Sequence, residues 1–438
     1  MVQQMESKRQ LDLRELHLEE IPLSWVSTNC AIIVMHGIGN QMPLETLDQF
    51  GRGLITEYAK QFPGEMSIHH CVITKDSTST EPWFDNVIRL KKKNSEHYID
   101  IYEYYWANYT EDKATWTDIS LWLNGVVKGA ENFYEDQKLL GKRFKDQSIF
   151  FDQAGNFKPF KYRFFIGVVS KIFIVLNLLI TVILKMVSYL PIIGEFAASL
   201  LQSFVKRSLN KFVNVLGDIS VYNVVDPKSK MYSVRRQIMD GAVKSIKFLI
   251  EKTSNGKRAY PSVLVAGHSL GTQISFDAIN KLNMLLNQGL IDGYDNEGRC
   301  TRDGSDVGIS KISDQLKGYI TFGSPLDKIV FFLREKTPPE QILRQQLLEA
   351  YHCFKQLKWS ANKIEAEYLQ LEMCLKRYLD DIPWRNYYDD KDYVSGRLDY
   401  YGALVNINCH FNAKSVFSFT HSDYWNECLM YRDIIINF

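Results

Sequence analysis

Ser269 is the residue on which chemistry can be built. It stands in Gly267-His268-Ser269-Leu270-Gly271, after the apolar run Val263 to Ala266 and before Ile274, Ala278, Ile279 and Leu282, which fall at helical spacing. Strand, sharp turn and helix lift a serine hydroxyl out of a sheet and aim the first helical N–H groups at whatever binds there. Glycine stands two residues to either side because any side chain there would collide with the neighbouring strand or helix. A serine hydroxyl is a weak nucleophile until a base takes its proton, and that base needs a carboxylate to hold its tautomer. Behind such a turn the acid comes first along the chain and the histidine second. Three histidines follow Ser269: His352, His410 and His421. His352 falls in a helix-forming arm ahead of the last strand, which leaves two. His421 lies among Thr420 and Ser422 on an expected loop and is preferred; His410, beside a strand-like run, is the alternative. The acid should follow a strand end: Asp389, Asp390 and Asp392 follow Trp384 to Tyr388, and Asp327 follows the strand before.

Charge that builds on a carbonyl oxygen needs two fixed N–H donors. Leu270, at the head of the helix, supplies one, where the helix dipole helps. The other is expected from the glycine-rich turn His36-Gly37-Ile38-Gly39, with Ile38 as the donor. His36 itself would sit behind that turn as a structural hydrogen-bonding group.

The elements that must position these groups read as an α/β fold. Cys30 to Met35 is a second continuous apolar run, followed by Leu44, Leu47, Phe50, Leu54 and Tyr58 on one helical face. Ser67 to Thr74 and Tyr98 to Trp106 are further strand candidates; the second alternates Ile99, Ile101 and Tyr102 with acids, which predicts a half-exposed or edge strand. Val234, Ile238, Ala242, Val243, Ile246, Leu249 and Ile250 predict an amphipathic helix leading to the serine strand. Lys317 to Phe322 and Trp384 to Tyr388 complete the strands. Residues 291–310 read as a surface loop, and Pro338 to Leu379, with Leu343, Leu347, Leu348 and Tyr351 and then Leu369, Leu371 and Leu375, as an inserted helical hairpin. The organisation is then 1–110 and 216–335 as core, 111–215 as a hydrophobic helical insertion, 336–381 as a helical cap insertion, and 382–438 as the core segment with acid and histidine.

With 438 residues and 45% hydrophobic content, the chain can bury a large core. A net charge of +1 provides no global field for nucleic acid. Seven scattered cysteines without a C-x-x-C pair argue against a disulfide framework and a zinc site. Residues 1–20 are charged throughout and lack a signal-type apolar core, so a cytoplasmic location is expected. Phe164 to Leu184 is long enough to cross a bilayer, and Met186 to Phe204 is a second apolar arm. A single crossing would put Ile38 and Ser269 on opposite sides. Lys158, Lys161 and Arg163 before, and Lys206, Arg207 and Lys211 after, instead suit a hairpin with both feet in the cytoplasm. A buried helical pair is the alternative, and membrane contact through 164–204 is the expectation.

Together, His36-Gly-Ile-Gly-Asn-Gln41, Gly267-His-Ser-Leu-Gly271, Thr321-Phe-Gly-Ser-Pro325 and His421-Ser-Asp-Tyr-Trp425 resemble the α/β-hydrolase superfamily, in particular lipase-like cytoplasmic hydrolases and intracellular phospholipases. Asp392-Tyr-Val-Ser395 resembles the turn that carries the acid in several serine hydrolases. The resemblance covers the core strands and not the two inserted arms. It implies an α/β-hydrolase fold, Ser269 as nucleophile, Asp392 as acid with Asp389 as second choice, His421 as base, and Ile38 and Leu270 as the oxyanion hole. No metal or nucleotide cofactor is implied. The expected activity is cleavage of an acyl ester of a phospholipid or lysophospholipid at a membrane face. The alternatives are a soluble thioesterase or acyltransferase with the apolar arm as lid, and a non-catalytic membrane scaffold on the same fold.

Overall fold

Apolar runs without a polar face, such as those at 31–35 and 263–266, require a sheet covered on both sides. In the computed structural model of the chain they lie at the centre of one. The residues described are 10–14, 16, 27–38, 41–73, 85–110, 158, 160, 222, 229–288, 293–294, 300–301, 314–326, 341–351, 353–355, 371–372, 374–392, 394–398, 401–411 and 420–438. Nine strands form the main sheet: β1 (Gln10–Asp12), β2 (Cys30–Met35), β3 (Met66–Val72), β4 (Asn86–Lys92), β5 (Tyr98–Tyr104), β6 (Ser262–His268), β7 (Leu316–Phe322), β8 (Trp384–Tyr388) and β9 (Leu404–Asn408). Their order is β1-β9-β8-β7-β6-β2-β5-β4-β3. Every pairing from β1 to β5 is parallel; β4 runs antiparallel to both β5 and β3.

Alternation along each strand divides the core in two. Ala31, Ile33 and Met35 of β2, with Val263 and Val265 of β6, face helices α2 (Lys230–Glu251) and α3 (Leu270–Asn287). Ile32 and Val34, with Leu264 and Ala266, face α1 (Glu45–Gln61) and α5 (Cys428–Asn437). Each fully buried Leu, Ile or Val contributes about 1.5–3 kcal/mol of transfer free energy, so both layers hold the sheet. The stripe Leu47, Phe50, Leu54 and Tyr58 is buried as its spacing predicts. Close packing seats α2: Tyr104 Oη donates to the Ile238 carbonyl at 2.7 Å, and a Cβ on Gly241 would fall 2.2 Å from that hydroxyl.

β5 corrects the sequence expectation. It is an interior strand, paired with β2 on one side and β4 on the other, and Ile99 to Tyr104 are all buried. Its acids are not a solvated face. Asp100 receives both ends of the Arg89 guanidinium at 2.7 Å and the Tyr260 hydroxyl at 2.6 Å. Glu103 accepts from the backbone N–H of Leu44 and Thr46, capping α1, whose N-cap Leu44 is left-handed at φ 68° and offers no side-chain cap. The polar leader, too, contributes structure, since β1 pairs with Asn406 to Asn408 of β9.

The insertions are described in part. Within 336–381, helix α4 (Ile342–Tyr351) is present. Leu371 and 374–377 are not helical, which corrects the expected helix at these positions; 356–370 of the same arm lie outside the described residues. The reason is local: the Asn287 side chain donates to the Lys376 carbonyl and accepts its N–H, both at 2.8 Å, and so holds that backbone against α3. In 291–310, Gly293–Tyr294 and Cys300–Thr301 pair antiparallel. The insertion 111–215 and its apolar arms at 164–204, apart from Lys158 and Phe160, lie outside the described residues. Among the described residues no helix is long and apolar enough to cross a membrane.

The described ends of that insertion do have an address. Tyr104 lies level with Met35 at the carboxyl end of the parallel strands. α2 starts at the same end, because Gln315, just before β7, donates to the Ile250 carbonyl near the other end of the helix.

Candidate active site

Ser269 sits at the apex of the turn between β6 and α3 with φ 53° and ψ −126°, a left-handed conformation that a non-glycine residue adopts only when its surroundings impose it. Three hydrogen bonds impose it. Ser269 N–H donates to the Phe322 carbonyl at 3.1 Å, and its own carbonyl accepts from Thr272 N–H at 3.0 Å and Thr272 Oγ1 at 2.6 Å. The glycines permit the approach: a Cβ on Gly267 would lie 2.6 Å from the Gly271 carbonyl, and one on Gly271 would lie 2.3 Å from the Met35 carbonyl. The turn is therefore pressed against the end of β2. A Cβ on Gly37 would lie 2.6 Å from Ser269 Cβ, which brings Ile38, next in the chain and half-buried, beside the serine. Leu270 opens α3 on the other flank. His36 is buried behind this turn; Nδ1–H donates to the Gly37 carbonyl at 2.8 Å, and Nε2 accepts from Trp106 N–H at 3.1 Å. Burial pushes its pKa down to about 4, so it is a neutral structural group.

Asp392 and His421 come together at the same rim. His421 Nδ1–H donates to Asp392 Oδ2 at 2.7 Å, and both side chains are buried. Asp392 Oδ1 accepts from Val394 N–H at 2.9 Å. Burial opposes ionisation of this carboxyl, but the hydrogen bond and charge of His421, with the Val394 N–H, outweigh it and hold the pKa well below the usual carboxylate range. A donating Nδ1 leaves the neutral ring with its basic lone pair on Nε2, the tautomer a general base requires. His421 lies on a 3-10 helix, Thr420–Asn426, where a loop was expected.

The rival residues are engaged elsewhere. Asp389 accepts from the N–H of Lys391 and of Phe411, which makes it a loop organiser. Asp390 accepts from the Asn408 side chain at 2.6 Å. His410 pairs with Asp12 at 2.8 Å, on the β1–β9 edge. Asp327 and His352 lie outside the described residues.

No known family model, curated protein or solved structure matches this chain. His421 lies beside the residue before the serine, its carbonyl accepting from His268 Nε2–H at 3.1 Å, and no hydrogen bond among the described residues joins its ring to Ser269.

Two residues escaped the sequence reading. Tyr424 donates to Asp392 Oδ2 at 3.1 Å and contacts Ser395 Oγ at 2.9 Å. Its signal was the spacing of three from His421, which a 3-10 helix places on one face. The other is His268, inside the serine motif itself; its ring lies 5.0 Å from the His421 ring.

Proposed function

We propose that this chain is a serine hydrolase of the α/β-hydrolase type, which cleaves the acyl ester of a phospholipid or lysophospholipid at a cytoplasmic membrane face. The observation that carries the reading is the buried Asp392–His421 pair set beside a strained serine turn. The chain order agrees: serine after β6, acid after β8, histidine after β9, all beyond the carboxyl ends of parallel strands, where open α/β sheets bind ligands.

In this reading Ser269 Oγ attacks the ester carbonyl while His421 Nε2 takes its proton, and Asp392 stabilises the imidazolium that results. The N–H groups of Leu270 and Ile38 receive the oxyanion. His421 then protonates the leaving alcohol, water enters, and the acyl-enzyme is hydrolysed by the same base. Lipid is favoured over a small soluble ester for two reasons. The apolar sequence 164–204 has the length for membrane contact. The elements that flank the insertion, the end of β5 and the start of α2, both lie on the rim that bears Ser269.

The test is a fluorophosphonate probe. The folded chain should label at Ser269, the Ser269→Ala variant should not, and labelled protein should lose hydrolysis of phosphatidylcholine or lysophosphatidylcholine vesicles. A folded wild-type chain that remains unlabelled overturns the reading. Flotation with liposomes, unchanged after deletion of 164–204, would remove the membrane part alone.

A further inference from the structure

We propose that His268, the residue before the nucleophile, is a positioning residue that ties the base His421 to the nucleophile strand and wedges it against the loop that carries Ile38. The inference rests on the serine hydrolase reading above.

The tie is direct. His268 Nε2–H donates to the main-chain carbonyl of His421 at 3.1 Å, across 153 residues of sequence. The two rings lie tilted against each other, 5.0 Å apart with 35° between their planes. Phe322 at 5.2 Å and Trp425 at 4.9 Å pack against the His268 ring. On its other edge, a Cβ on Gly37 would fall 3.0 Å from His268 Nδ1, so the ring also abuts the loop after β2. Nδ1 has no hydrogen-bond partner among the described residues. The Nε2 bond and packing alone therefore hold this side chain, and through it the distance between base and loop.

Its charge state fits the task. Burial and then the neighbouring His421 push the His268 pKa down to about 3. It stays neutral while His421 takes up a proton, and so adds no repulsion against the imidazolium. A cation at that place would raise the barrier to proton transfer.

Two substitutions separate the bond from the bulk. His268→Phe keeps the ring and its packing but removes the donor; His268→Gln places an amide N–H where Nε2 stood. The readouts are the second-order rate of fluorophosphonate labelling against pH, and kcat and KM for p-nitrophenyl butyrate, each per folded molecule as judged by near-UV circular dichroism. Phe should lose labelling rate and kcat by about 10²-fold with KM little changed, as expected when the base is misplaced by about an ångström. Its labelling pH profile should shift with it. Gln should recover about tenfold of that loss. If Phe does not fold, Gln carries the test: labelling about tenfold below wild type with a shifted pH profile supports the proposal, and a wild-type rate and profile overturn it. A folded Phe variant with wild-type rate and pH profile overturns it, as does a folded Gln variant no better than Asp392→Asn. A folded wild type that never labels instead takes down the hydrolase reading, and this inference with it.

Discussion

The Tyr424 hydroxyl donates to Asp392 Oδ2 at 3.1 Å, the same oxygen that takes the His421 Nδ1 proton at 2.7 Å. One oxygen thus carries two donors, which fixes the carboxylate plane as well as its charge. A hydrogen bond to an ionised group contributes about 1.5–3 kcal/mol, so Tyr424→Phe should lose stability in that range in urea unfolding. Labelling by fluorophosphonate should slow as well, because the carboxylate gains freedom to turn. Unchanged stability would mean that Ser395 and Val394 suffice to hold Asp392.

Asp392 and Asp389 lie three positions apart and differ in role. Asp392→Asn should drop fluorophosphonate labelling by about 10⁴-fold, since an amide can hold the wrong tautomer of His421. Asp389→Asn should keep labelling and lower only the melting temperature, because its oxygens receive the Lys391 and Phe411 N–H groups. The pH sign follows from the depressed Asp392 pKa. Its contribution to stability is present above the ordinary carboxylate range and is lost only as strong acid protonates the folded pair. The stability gap between wild type and Asp392→Asn should therefore persist at pH 5 and close only in strong acid. Equal labelling of the two variants would sink the assignment of the acid.

Much of this arrangement was legible in the chain because its signals are local. Val263 to Ala266, two glycines and a helical stripe describe the serine turn within twenty residues, while the strand end at Tyr388 leaves Asp389, Asp390 and Asp392 open and only the resemblance of the Asp392 turn prefers one of them. What escaped depends on contacts far apart in sequence. The acids of β5 read as solvent-facing because Arg89, Tyr260 and the α1 N–H groups that satisfy them are invisible to periodicity. β4 hides inside a lysine-rich run in which Val87 and Leu90 alone are fully buried. β1 is three residues long and needs β9 to exist as a strand. His268 is hidden for a different reason: a group that positions the base leaves no signature in chain order.

Gly271 tests the seating of the serine turn. A Cβ there would lie 2.3 Å from the Met35 carbonyl and 2.4 Å from that of His36, with only backbone to give way. Gly271→Ala should therefore push α3 from β2, at about 1–3 kcal/mol or more as for other overpacked sites. Labelling should fall further than the loss of folded protein accounts for, because Leu270 N–H moves with the helix. A variant that melts and labels like wild type would show that the approach at this point is looser than these distances require.

Glu103 gives the pH test of the fold. Burial raises its pKa to about 7, with the Leu44 and Thr46 N–H groups pulling in the opposite direction. A raised folded-state pKa means that its contribution is complete below the unfolded value of 4.5 and is lost as pH rises through about 7. The stability assigned to this one group should decline by roughly 3 kcal/mol across that interval. Glu103→Gln cannot ionise and still offers an oxygen to the N–H groups at the head of α1, so its pH dependence should be flatter than that of wild type between pH 4.5 and 8. Urea unfolding at half-unit pH steps reads the difference. Parallel curves for the two proteins would mean that the carboxylate is fully stabilised by the helix it caps, with the dipole of α1 cancelling the cost of burial.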